Sequence, residues 1–168
     1  DAECLKLLAT QQPLASDLRF LLSVVKINTD LERMADQAVN IANNTEYYLK
    51  HAPYSDLNDL IRMSEIVREL VKQAIDAFIN SDSTLAKMVL DADDEVDHLK
   101  DKVFKNALEA MKQETNEVEQ GLNVILIARN LERIGDHATN IAEDVIFTVS
   151  GKDIRHSPSR KKGGIHEK

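Results

Sequence analysis

Twelve residues recur without a gap one hundred positions apart, Leu31-Glu-Arg-Met-Ala-Asp-Gln-Ala-Val-Asn-Ile-Ala42 and Leu131-Glu-Arg-Ile-Gly-Asp-His-Ala-Thr-Asn-Ile-Ala142, and eight of the twelve are identical. An ungapped match of this length marks an internal duplication. It constrains the fold more tightly than composition does, because the architecture must give two related segments related surroundings. In both copies the apolar residues return at three- and four-residue steps, the period of an amphipathic helix: Leu31, Met34, Ala38 and Ile41 in one, Leu131, Ile134, Ala138 and Ile141 in the other. The same offset lays Leu8 on Leu108, Leu22 on Leu122 and Val24 on Val124, so the repeat extends upstream of the shared segment. It also lays Asp1 on Asp101, from which the first unit is expected to lack its opening helix and most of its second. Such a unit would expose the apolar stripe between Leu14 and Ile41, which implies either missing upstream sequence or burial by a partner chain.

The remaining periodicity predicts five helices. Residues 1–11 read as the end of a helix stopped before Pro13. A long helix runs from Leu14 to Lys50, with one buried stripe through Leu18, Leu21, Leu22, Val25, Leu31, Met34, Ala38 and Ile41, and Pro53 and Ser55 separate it from the next. The third, near 56–80, presents Leu60, Met63, Val67, Leu70, Val71, Ala74, Ile75 and Phe78, and the cluster Asn80-Ser-Asp-Ser ends it. The fourth covers 82–113 through Leu85, Met88, Val89, Val96, Leu99, Val103, Phe104 and Leu108, and the fifth covers 116–149 with Thr115 as its cap. Helices of this length reach roughly 40 to 50 Å at about 1.5 Å per residue, which suits antiparallel bundles rather than globin-like packing. Only five Gly and three Pro interrupt the pattern. The expected fold is all-α, a tandem repeat of antiparallel three-helix bundles with the first bundle N-terminally truncated. Residues 1–52 form the incomplete repeat, 53–150 the complete one and 151–168 a mobile polar tail.

Charge narrows the partners. Across 168 residues the formal net charge is -8, which argues against binding a nucleic-acid backbone, and the basic residues Arg155, Arg160, Lys161 and Lys162 gather only in the tail. A single cysteine, Cys4, has no internal partner for a disulfide and fits a reducing compartment. No apolar run is long enough to cross a membrane and the N-terminus has no signal-peptide pattern, so a soluble chain is expected. A Gly-rich phosphate loop, a Cys-x-x-Cys pair and a Gly-x-Ser-x-Gly elbow are all missing from the sequence, and an enzyme is not expected.

The residues that could carry chemistry are carboxylates. Beside the apolar seam of the fifth helix, Glu132, Asp136 and Asn140 form an i, i+4, i+8 row, repeated by Glu32, Asp36 and Asn40. Like charges one turn apart repel by a few tenths of a kcal/mol, so a face needing only solubility would alternate signs. On the fourth helix Asp93, Asp97 and Asp101 have the same spacing. Packed side by side, two such rows would converge on a hard or borderline cation such as Mg, Mn, Ca or Fe. The rival reading is a solvated acidic face neutralised by Arg33 and Arg133. Glu95-Val-Asp-His98 has the Glu-x-x-His spacing of di-iron carboxylate bundles, which keeps open a di-iron or di-manganese oxidase or a metal-storage protein, although such sites use two copies and only one occurs. His137 faces Gln37 in the other repeat, so a ligand role shared by both units is not expected of it, and Tyr47, Tyr48 and Tyr54 are expected to pad helix ends.

At these residues the chain resembles the PhoU family of phosphate-uptake regulators. The two Leu-Glu-Arg-x-x-Asp copies, the segment Pro13-Leu-Ala-Ser-Asp-Leu-Arg19, the acidic run from Asp93 to Asp97 and the closing Gly151-Lys-Asp-Ile-Arg-His156 carry the likeness, which covers nearly all of residues 1–156. The resemblance implies two tandem three-helix bundles whose Glu/Asp-x-x-x-Asp pairs hold metal ions or multinuclear iron or zinc clusters. Transferred to this sequence, the second unit would use Asp93, Asp97, Glu132 and Asp136 and the first Glu32 and Asp36, with Asp101, Asn140 and Asn40 as additional or supporting groups. It further implies a cytoplasmic negative regulator, peripheral at the inner face of the membrane and homodimeric, that couples the ATPase subunit of a phosphate importer to a sensor histidine kinase.

Overall fold

The chain's computed structural model describes residues 2–11, 14–50, 57–113, 118–152 and 154, and among these every regular element is an α-helix. In chain order they are α1 (Ala2–Gln11), α2 (Ala15–Tyr48), α3 (Asn58–Asn80), α4 (Ser83–Gln113) and α5 (Val118–Ser150). The expected breaks at Pro13, Pro53 and Ser55, the cap at Thr115, Tyr54 and the basic cluster from Arg155 onward lie outside the described residues.

Helices α3, α4 and α5 each pack on the other two and form the three-helix unit. Met63, Val67, Leu70, Ala74 and Ala77 line the inner face of α3 at alternating steps of four and three, the spacing that keeps one stripe on a long helix facing its neighbours. Ala86, Val89, Val96, Leu99, Val103 and Ala107 meet it from α4. The turn between them is short because both helix ends are closed locally. Ser81 adopts the left-handed conformation at φ 52°, and the Asp82 N–H donates back to the Ala77 carbonyl at 2.9 Å. The Asp82 carboxylate then accepts from the N–H groups of Thr84 and Leu85 at 2.9 and 3.0 Å, capping α4. Such a turn forces α3 and α4 antiparallel. At the far end of α5, Gly151 stands at φ +70° and donates its N–H to the Phe147 carbonyl at 2.8 Å, with the Arg19 guanidinium against it. Two segments that carry the family likeness, far apart in sequence, therefore meet in space. Beyond them Ile154 packs on the core.

Helix α2 lies along α5, which packs against each of α2, α3 and α4. The cross-bonds give its direction: Ser23 meets Thr148, Lys26 meets Asp144, and Asp30 meets His137 and Asn140. Positions rising on one helix pair with positions falling on the other, so the two copies of the duplicated segment pack antiparallel.

Two expected stripes need correction. Leu18, Leu22 and Leu31 lie exposed on α2, and what it buries against α5 is Ser23, Ile27, Asp30 and Met34. The repeat shows the difference: Leu131 is 8% exposed because α5 has α3 and α4 on that face, whereas its counterpart Leu31 is 38% exposed, α2 packing mainly along α5 and reaching α3 through Phe20 stacked on Phe78 at 5.7 Å. On α4, Met88, Phe104 and Leu108 are exposed, while the small residues Ala86 and Ala107 hold the close contacts.

Candidate functional site

The acidic rows of α4 and α5 come together along one edge of the three-helix unit. Since α4 and α5 pack side by side, Asp97 and Glu132 face each other across their seam, and both bind the same cation. Lys100 Nζ donates to Asp97 Oδ1 at 2.9 Å and to Glu132 Oε1 at 3.3 Å. Asp97 is three residues upstream of Lys100 on α4, so the ammonium reaches its own helix and the neighbouring one at once. Partial burial pulls the Lys100 pKa down, but the bond to Asp97 and the charges of Glu132 and Asp97 outweigh it and hold the group above the ordinary lysine range.

One turn along, Asp93 lies against α5 at Gly135. A Cβ built on that glycine would stand 3.7 Å from Asp93 Oδ1 and 3.6 Å from Val96 Cγ1, ordinary contact distances, which places the Asp93 carboxylate beside the backbone that bears Asp136. Asp93 and Asp136 both make polar contacts. Asp101 is exposed and borders a cavity of about 370 Å³ with Lys100, Phe104, Ile125, Ala128, Arg129 and Glu132.

The other sequence candidates separate from this edge. Asn140 points the opposite way and donates to Asp30 Oδ1 at 3.3 Å. Glu32, Asp36 and Asn40 are exposed on α2, and among the described residues no helix brings a second acidic row beside them. Glu95 is bound to Arg62 on α3 and His98 is exposed, so the Glu-x-x-His spacing faces away from Asp93 and Asp97. The cation that pairs with Glu132 of the second-unit row is Lys100, three residues after Asp97. That spacing was readable as an ion pair in the sequence.

The residue types fit a hard cation: four carboxylates, Asp93, Asp97, Glu132 and Asp136, on two adjoining helices. Their present arrangement is not a closed cage, since among the described residues no group of three or more His, Cys, Asp or Glu is gathered tightly enough to hold a metal ion. An ammonium occupies the point where two of the carboxylates converge.

A second polar cluster, which the sequence reading passed over, lies between α2 and α5. Asp30 is buried, and a carboxylate only accepts, so His137 presents its Nδ1–H to Asp30 Oδ1 at 2.8 Å. Buried Asp144 binds Lys26 at 3.3 Å and buried Ser23 shares a 2.7 Å hydrogen bond with Thr148. Lys26, Asp30, Asn140 and Asp144 border a cleft of about 340 Å³ that Arg33 and Glu143 also line. His137 carries its bond in one repeat only, which is why mismatch with Gln37 hid it.

No described helix is long and apolar enough to cross a membrane. The family model described as the PhoU domain matches residues 1–45 and 60–145. A phosphate-specific transport system accessory protein PhoU homolog of Zymomonas mobilis is 38% identical over 159 residues, covering 95% of this chain and 66% of its own length. The homolog of that name from Pseudomonas aeruginosa is 37% identical over 158 residues, covering 93% and 65%. This chain therefore spans just under two thirds of the length of these curated relatives. The crystal structure of PhoU from Pseudomonas aeruginosa superposes with a TM-score of 0.86 at 36% identity, covering 90% of this chain and 73% of that one. Matched across most of its length by the domain model, by these relatives and by that structure, the chain belongs to the PhoU family.

Proposed function

We propose that this chain is a regulatory accessory of phosphate transport, a negative regulator that links a phosphate importer, through its ATPase subunit, to a sensor histidine kinase. In this reading the carboxylates of α4 and α5 hold a metal ion. The observation that carries the metal part is the convergence of Asp97 and Glu132, from two helices, on one cation position. The regulatory part draws on the relatives, which are named as accessory proteins of phosphate-specific transport. Asp93, Asp97, Glu132 and Asp136 would hold the metal, whose contribution when bound is to cross-link α4 to α5 through charge. Iron, zinc, manganese and magnesium are the candidates that oxygen donors admit.

The geometry favours an adaptor over a carboxylate oxidase, because Glu95 is engaged by Arg62 and the single imidazole of that motif, His98, stands in solvent. The test has two arms. Elemental analysis of protein purified without chelator is compared with a variant in which Asp93, Asp97, Glu132 and Asp136 are all Ala; equal metal content removes the metal reading. Phosphate uptake in cells lacking the gene is measured in phosphate-rich medium. Uptake that stays repressed without the gene contradicts the regulatory reading.

A further inference from the structure

The Lys100 ammonium stands where a metal shared by Asp97 and Glu132 would have to stand, and it binds one carboxylate from each helix. It therefore already does what a bound cation would do there: it cancels repulsion between the two acids and ties α4 to α5. Its side chain is half-buried, as is that of Glu132, so the pair is shielded from solvent more than an ordinary surface ion pair. The lysine stem is long and flexible, and the cavity bordered by Asp101 and Phe104 adjoins it. The ammonium thus has a place to go if it is displaced, next to another carboxylate.

We propose that Lys100 is a tethered counter-cation that competes with a divalent ion for Asp97 and Glu132, so that the α4–α5 edge exchanges a lysine bridge for a metal bridge. The inference rests on the metal reading above and adds what sets the threshold for metal: binding must first release the ion pair. The exchange is one of charge partners only, with no proton or electron transferred.

The experiment titrates Mn²⁺ by calorimetry into the metal-free full chain at a fixed near-neutral pH. Wild type is compared with Lys100→Met and Lys100→Gln, and with Glu132→Gln added to the Lys100→Met background. Lys100→Met and Lys100→Gln are each expected to bind Mn²⁺ about tenfold more tightly than wild type, and Glu132→Gln to abolish the gain. Without metal, both lysine variants should melt below wild type, and saturating Mn²⁺ should close the difference. Equal affinity in wild type and in the lysine variants overturns the competition while leaving the metal reading intact. Weaker binding in the variants overturns it too, since Lys100 would then support the site. No Mn²⁺ binding by any form removes the metal reading and the competition with it. If one lysine variant fails to fold, judged by its helical circular dichroism, the other supplies the comparison.

Discussion

Two glycines on α5 make the same substitution informative in opposite ways. At Gly135 a new Cβ would lie 3.6 Å from Val96 Cγ1 and 3.7 Å from Asp93 Oδ1, ordinary contact distances that require nothing to move. Gly135→Ala therefore keeps the α4–α5 packing and gains the helix propensity that glycine forfeits in a helix interior, about 0.5–1 kcal/mol. The first repeat already carries Ala35 at this position. At Gly121 the Cβ would lie 2.8 Å from Met111 Cγ, 3.1 Å from its Cε and 3.2 Å from its Sδ. The Met111 Cε could swing aside, but Cγ is too close to the backbone to yield without a new rotamer or a shift of the α4 end. Overpacking of that kind costs about 1–3 kcal/mol, and Gly121 sits in the first turn of α5, where the propensity gain is smallest. Gly121→Ala should thus lose up to about 2 kcal/mol, and adding Met111→Ala should recover part of it. Urea unfolding followed by circular dichroism at constant m measures both, and about 1 kcal/mol corresponds to roughly 2–4 °C in Tm for a chain of this size. A destabilised Gly135→Ala would mean that Asp93 and Val96 do not leave the gap, so that the register of α4 on α5, and with it the facing of the acidic rows, is wrong. A Gly121→Ala as stable as Gly135→Ala would refute the close contact with Met111.

Truncating His137 to Ala leaves the buried Asp30 carboxylate with Asn140 as its remaining cross-helix donor at 3.3 Å, and should cost about 1–3 kcal/mol. In a double-mutant cycle with Asp30→Asn, the second change should cost little once the first is made, and additive losses would deny the pair. Met63→Ala, at 0% exposure, should cost about 2–5 kcal/mol, whereas Met88→Ala, at 56% exposure, should stay within about 0.5 kcal/mol; similar losses would contradict the inner face assigned to α4. The Lys100 pKa is raised on folding, so its ion bridge stabilises fully below the ordinary lysine value of 10.5 and fades as pH rises through the higher folded value. In chelator-treated protein the Tm gap between wild type and Lys100→Met should therefore be flat near neutrality and narrow as pH rises into the alkaline range. A gap that stays constant through the alkaline range would refute the bridge.

Spacing alone made α3, α4 and α5 legible as helices, because each buries a largely apolar stripe against the other two. Helix α2 was legible as a helix but not in its orientation. Periodicity identifies an apolar face without saying which neighbour covers it, and the α2 face that meets α5 contains Ser23 and Asp30. Those residues look like surface until α5 supplies Thr148, His137 and Asn140. The acidic rows were legible because i, i+4 repetition survives on a helix whatever its neighbours do. That Lys100 would span them was not, since it depends on the register of α4 against α5.

The duplication also explains why the interface between its copies is unequal along its length. An antiparallel pair of equivalent helices has an approximate two-fold axis, so each contact across it has a counterpart obtained by exchanging the copies. Asp30 with His137 maps onto Asn130 with Gln37. On that second side Asn130 turns its Nδ2 to the Leu126 carbonyl of its own helix at 2.7 Å, and Gln37 Oε1 is buried without a hydrogen-bond partner among the described residues. Burying an acid and an imidazole at both places would double the desolvation to be compensated, and the chain instead has a bonded acid–imidazole pair at one place and two amides that do not bond each other at the other. The same polarity runs through the neighbouring contacts. The N-terminal half of α2, against the C-terminal half of α5, holds the bonds from Ser23, Lys26 and Asp30. The opposite half surrounds an apolar cavity of about 300 Å³ lined by Ile41, Tyr48, Leu60, Val124, Ile127 and Leu131. Directional bonds fix the register at one end, while contacts that tolerate sliding make up the other. The pair is therefore held by directional bonds where Asp30 meets His137 and by apolar packing around Tyr48 and Val124.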